Sequence, residues 1–139
     1  MDQYIPLLND FLPFEYPEND LTSQMTGQTR SEAIRDLLVK LFKNLTEEYP
    51  MVIVLDDVQW LDAASWILIL AICQSITSNL FVVLSTRPQE RNMAPQEFTK
   101  IKNLTSSQTL RLGMLAKAEI TQLVIFIFLL LYLLIFEGL

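Results

Sequence analysis

The chain has no histidine at all. That removes His-centred nucleophilic triads, His metal ligands and imidazole acid–base chemistry together. Cysteine occurs once, at Cys73, so neither an internal disulfide nor a cysteine-based zinc site can form. A reducing, cytoplasmic setting is the natural expectation. Cys73 lies in the apolar run Trp66–Ile76 and reads as a small core residue. Glycine occurs three times, at Gly27, Gly113 and Gly138. No two are close together, so neither a G-x-x-x-x-G-K-[ST] loop nor a G-x-G-x-x-G loop is present. Basic residues are also few. Ten Lys and Arg face sixteen Asp and Glu, for a net charge of −6 with no basic patch. Phosphate-neutralising contact with nucleic acid is therefore not expected. No charged-then-apolar signal pattern opens the chain. The sequons at Asn44 and Asn103 are read as chance matches.

What is present is a folding composition. Of 139 residues, 51% are hydrophobic and 19% charged, enough for one domain with a core. Residues 1–28 are punctuated by Pro6, Pro13 and Pro17 and read as turns, with one helical turn near Ile5–Phe11. Ile34, Leu37, Leu38, Leu41, Phe42 and Leu45 recur at helical period and predict a helix over 29–49. Thr29 or Ser31 is placed to cap it and Pro50 to stop it.

Met51–Asp56 is a continuous apolar run ending in an acid. It predicts a central parallel strand with both faces covered. An amphipathic helix is expected over Ala63–Ile76 with Asp62 as its N-cap. Leu80–Leu84 reads as a second buried strand, followed by Ser85-Thr86-Arg87-Pro88. Weak helical character follows near Gln96–Lys102, then a third short strand at Thr109–Leu112 and a helix beginning at Ala116. This order predicts an α/β fold with a parallel sheet. Ligands in such sheets sit at the carboxyl ends of the strands, where Asp56, Asp57, Ser85, Thr86 and Arg87 all fall.

Apolar residues followed by two acids form a Walker B arrangement. Mg²⁺ takes hard oxygen ligands and keeps several waters, so one carboxylate at a rigid strand end suffices to hold it beside phosphates. A neighbouring carboxylate can orient or deprotonate the attacking water. Asp56 is then the metal ligand and Asp57 the catalytic group. The bland alternative is a strand ending in a helix-capping turn.

The longer segment Val52–Trp66 carries the pattern Asp-Asp-x-x-Trp-x-Asp-x-x-Ser. It resembles the Walker B segment of signal-transduction ATPases with numerous domains, the STAND branch of the AAA+-like P-loop ATPases. Within that branch it is similar to the ATPase regions of soluble-type, class III adenylyl cyclases. The resemblance covers about residues 1–124 and includes Tyr4–Asn9 with Leu12-Pro13, Arg30–Phe42, Ser85–Pro88 and Leu110–Val124. It implies a P-loop NTPase core that is incomplete here, with the phosphate loop preceding residue 1. It implies Mg²⁺ and ATP as ligands of the complete parent domain, bound weakly or not at all by this chain. It implies effector or cyclase domains as partners within the parent. It also implies Arg87 as a polar sensor of the γ-phosphate. The plain alternative for Arg87 is a surface arginine paired with Glu90. Trp60 and Trp66 both read as packing residues.

The domain expectation is a partial ATPase domain over 1–122 and an apolar tail over 123–139. Leu123–Phe136 is fourteen residues, all apolar or Tyr. As a helix it spans about 21 Å, against a hydrocarbon core of ~30 Å. Counting from Ile120 gives seventeen residues, the lower end of the membrane-spanning range. Three readings stand: a membrane segment, a buried helix, or a tail foreign to the domain. With the first, a second functional reading arises, a catalytically inactive α/β interaction protein tethered to a membrane.

Overall fold

A computed structural model describes residues 2–88 and 94–136, with side chains over 3–88 and 94–129. The fold is mixed α/β around a two-stranded parallel sheet. It divides into two compact units, Met1–Ser107 and Gln108–Leu139.

In the first unit, a 3₁₀ helix over Asp2–Asp10 leads through turns to helix α1, Gly27–Glu48. Thr26 is the N-cap residue but makes no side-chain capping bond. Thr29 and Ser31, expected as caps, lie inside the first turns. Gly27 starts the helix with φ +52°, a left-handed conformation that a residue without Cβ adopts freely. This brings the start two residues earlier than the hydrophobic period indicates. The helix ends ahead of Pro50, as expected.

Strand β1, Met51–Leu55, follows directly and pairs in parallel with β2, Leu80–Leu84. The register sets Met51 opposite Leu80 and Leu55 opposite Leu84. Between them runs α2, Ala63–Ser75, opened by Asp62, whose carboxylate accepts from the Ser65 N–H at 2.7 Å. That bond holds the Asp62 carboxyl below its usual range. The cap is the one the sequence indicates, but α2 is apolar nearly all round rather than amphipathic. Trp66, Ile69, Leu70 and Ile72 are buried while Ile67 is exposed. The entry to β2 is held by Asn79, which adopts φ +58°, a region Asn tolerates. Its side-chain Nδ2 donates to the Thr46 carbonyl at 3.1 Å, and its own carbonyl accepts from the Met51 N–H at 2.8 Å.

Val58, Trp66, Ile69, Leu70 and Ile101 form the buried cluster under one face of the sheet ends, with Leu55, Leu84 and Phe98 packed against it. Ile101 and Phe98 come from α3, Gln96–Lys102. Cys73 sits half-buried at the cluster's rim rather than deep within it, and burial pushes its thiol pKa up. The expectation that both faces of the strands are covered is corrected. Val52, Val54 and Phe81 are all exposed, at 63–66%. A run of β-branched residues encodes compatibility with burial on both sides, not the presence of the covering elements.

The N-terminal segment is fastened to α1 by one arginine. Arg30 Nε and Nη2 reach the two carboxylate oxygens of Asp10, each at 2.7 Å. Nη2 also donates to Glu18 at 3.0 Å, and Nη1 to the Thr22 carbonyl at 3.0 Å. The guanidinium bond lowers the Asp10 pKa; hydrogen bonds from Thr22 and then Arg30 lower that of Glu18. Both folded pKa values lie below the unfolded ones. The clamp's contribution is therefore fully present above the ordinary carboxylate range and is lost as pH falls through the lowered values. We expect Arg30→Met to raise proteolytic cutting between residues 11 and 26 about several-fold at neutral pH. The gap between variant and wild type should close under strongly acidic conditions. A gap that widened on acidification would show that the carboxylates do not hold the clamp.

The described part of the second unit is a segment without regular secondary structure followed by one helix, α4, Lys117–Phe136. The segment 109–112, expected as a third strand, forms no strand pairing among the described residues. Its alternation sets a face, but a strand also needs a neighbour whose N–H and C=O groups it can use. Among the described residues no helix is long and apolar enough to cross a membrane. The second half of the run Leu123–Phe136 lies outside the described side chains.

Candidate functional site

The parallel pairing brings the ends of β1 and β2 side by side. The ladder runs on past both strands: the Ser85 N–H donates to the Leu55 carbonyl at 2.9 Å, and the Val58 N–H to the Ser85 carbonyl at 3.0 Å. Asp56, Asp57 and Gln59 thus stand against Ser85, Thr86 and Arg87, a convergence the chain order alone implies.

Asp56 ends the strand. Its Oδ1 accepts from the Ser85 hydroxyl and from the Asp57 N–H, the latter at 3.0 Å. Asp57 turns the chain with φ +53°, ψ +43°. Few residue types other than glycine sit there, and Asp is one of them. The turn breaks the strand and starts a 3₁₀ turn over Val58–Trp60. Val58 is fully buried, so the acidic pair rides on an anchored backbone. Both carboxylates stay exposed.

Gln59 is the residue that the sequence reading missed. Its Nε2 donates to Asp57 Oδ1 at 2.7 Å. Its Oε1 accepts from the Thr86 hydroxyl at 3.2 Å and the Arg87 N–H at 3.3 Å. The signal available was slight: Gln59 occupies a variable position of the motif, two residues after the second acid.

The Arg87 side chain approaches Asp57, with Nε 4.0 Å from Oδ1 and the two side chains 77% and 51% exposed. Such a contact is screened by water and contributes little. The alternative partner, Glu90, lies outside the described residues. Trp66 is 2% exposed and packs edge-on against Phe98, as expected of a packing residue. Trp60 is corrected: it is 80% exposed and takes no part in the buried cluster.

Asp56 offers one carboxylate, with a hydroxyl bonded to it, at a fixed strand end. That donor set fits a hard cation that retains most of its waters. No group of three or more acidic or Cys ligands exists among the described residues to cage a metal without water or substrate.

The chain belongs to the AAA ATPase domain family, whose sequence model matches residues 8–83. The match includes Asp56, Asp57 and Gln59 and stops two residues before Ser85. The chain is similar to adenylate cyclase type 10 of Rattus norvegicus, 28% identical over 87 residues, which is 63% of this chain and 5% of the relative. It is also similar to adenylate cyclase type 10 of Oryctolagus cuniculus, 24% identical over 82 residues, 59% of this chain and 5% of the relative. The chain therefore spans about 5% of the length of these curated relatives. No solved structure matches it.

Proposed function

We propose that the chain carries one half of a Mg²⁺–ATP site, in a STAND-type regulatory module of a cyclase-related signalling protein. The observation that carries this reading is the seating of Asp56 and Asp57 at the end of β1, both hydrogen-bonded across to Ser85, the residue that follows β2. Membership of the AAA ATPase domain family and similarity to the two cyclases support it. The uncovered face at Val52, Val54 and Phe81 is in keeping with a core that further elements complete.

In this reading Asp56 holds the cation, which when bound offsets charge on the phosphates. The Ser85 hydroxyl fixes the carboxylate's rotamer. Asp57 accepts a hydrogen bond from the attacking water and orients it. Arg87, exposed beside it, is available to the terminal phosphate. The phosphate cradle of backbone N–H groups is not among these residues, so the chain alone binds nucleotide weakly or not at all.

The roles separate by mutation in a longer protein that also contains the phosphate loop. Asp56→Asn should weaken Mg²⁺-nucleotide binding about tenfold or more, since it removes the charged ligand. Asp57→Asn should leave binding within about twofold and slow hydrolysis about 10²- to 10³-fold, because water orientation is a transition-state task. Asn tolerates the left-handed turn, so the backbone is spared. Equal loss of binding in both variants would contradict the division of labour.

A further inference from the structure

We propose that Gln59 is a positioning residue that transmits the state of the Asp57 carboxylate to the segment after β2. The inference rests on the reading of Asp57 as the water-orienting group and adds a means of regulation to that site.

The three partners of Gln59 fix its amide completely. A carboxylate only accepts and a peptide N–H only donates, so Nε2 must face Asp57 Oδ1 and Oε1 must face the Arg87 N–H. The Thr86 hydroxyl adds a second bond to the same Oε1. Gln59 thus joins two segments 28 residues apart in sequence. Its own backbone cannot simply follow the side chain, because the neighbouring Val58 is fully buried and bonded through its N–H to the Ser85 carbonyl.

Among the described residues the Asp57 carboxylate has one other contact with the second segment, that of Oδ1 with Arg87 Nε at 4.0 Å; the Asp57 backbone N–H donates separately to Ser85 Oγ at 3.3 Å, a bond that a side-chain change leaves in place. The Arg87 contact is exposed and screened, whereas the path through Gln59 is two direct hydrogen bonds. A water or cation that draws on Asp57 Oδ1 competes with the Gln59 amide. When the amide yields, its hold on the Thr86 hydroxyl and the Arg87 backbone loosens. Chemistry at the carboxylate is thereby reported to the chain leaving β2.

Amide hydrogen exchange at Arg87, in the isotope-labelled full chain kept dispersed by mild detergent, tests this. Gln59→Ala should speed exchange of that N–H about three- to tenfold, the loss of one hydrogen bond. Asp57→Gly should speed it too, although Asp57 makes no bond to that N–H; glycine accepts the φ of +53° there. The double variant should exchange no faster than Gln59→Ala alone. The Ser85 N–H, held in the ladder by Leu55, is the internal control for unfolding. Should Gln59→Ala disturb that control, Gln59→Met keeps the stem's packing and takes its place in the cycle. An Asp57→Gly effect that persists undiminished without Gln59 would route the link through the Arg87 side chain and overturn the proposal. No effect of Asp57→Gly at Arg87 would overturn it equally. Because the readout involves no nucleotide, this result stands or falls apart from the hydrolysis comparison of Asp56 and Asp57.

Discussion

Replacing Trp66 by alanine should unfold the first unit, while the same change at Trp60 should leave its stability nearly untouched. Trp66 is 2% exposed at the centre of the cluster formed with Val58, Leu70 and Ile101. Its ring meets Phe98 edge-on at 5.6 Å, which ties α3 to α2. Removing a buried indole costs about 3–5 kcal/mol through lost transfer energy and the cavity left behind. A small domain holds only about 5–15 kcal/mol in total, and this one leaves a sheet face uncovered. Near-UV circular dichroism and urea titration should show Trp66→Ala without a cooperative transition at 25 °C. Trp60→Ala, at an 80% exposed site, should shift stability by no more than about 0.5 kcal/mol. Equal effects of the two changes would mean that the core is built elsewhere.

The second large effect concerns the tail. Among the described residues of the unit Gln108–Leu139, α4 is the one regular element. Every described apolar side chain from Ile120 to Leu129 is exposed. The sequence stays apolar or Tyr as far as Phe136, so no polar face is left to meet water. Such a surface must be buried by something or adhere. Expression of residues 1–139 should give a membrane-associated or aggregated product. Ending the chain after Gln122 should raise the soluble fraction about several-fold, because the buried cluster Val58–Ile101 lies wholly within the first unit. Carbonate extraction separates insertion from adhesion: resistance points to insertion, release to peripheral sticking. A monomeric 1–139 in the absence of detergent would contradict both.

The two tryptophans show where sequence reasoning reaches and where it stops. Both stand in one apolar-rich motif six residues apart, and side-chain chemistry alone assigns both to packing. The 3₁₀ turn after Asp57 decides between them, and it arises from a left-handed backbone that no periodicity reveals. By contrast, β1, α2 with its Asp62 cap, β2 and α3 were all legible. Each is set by local signals: a β-branched run, a capping acid or a proline. The expected strand at Thr109–Leu112 failed because a strand is a relation between segments, and alternation describes only one of them. The placement of Asp56 and Asp57 beside Ser85–Arg87 was legible because parallel strands joined through a helix put their carboxyl ends on one edge. Gln59 was not, since its role lies in three hydrogen-bond partners, two of them 27 and 28 residues away.

As one half of a nucleotide site, the function proposed for it, the acidic strand end needs a phosphate cradle that these residues do not supply. Steady-state ATP hydrolysis by residues 1–139 in the presence of Mg²⁺ tests it most directly. The expected result is no turnover above background, and no difference between wild type and Asp56→Ala. Mg²⁺-dependent turnover that Asp56→Ala abolishes would contradict it, because the half-site would then be a whole one.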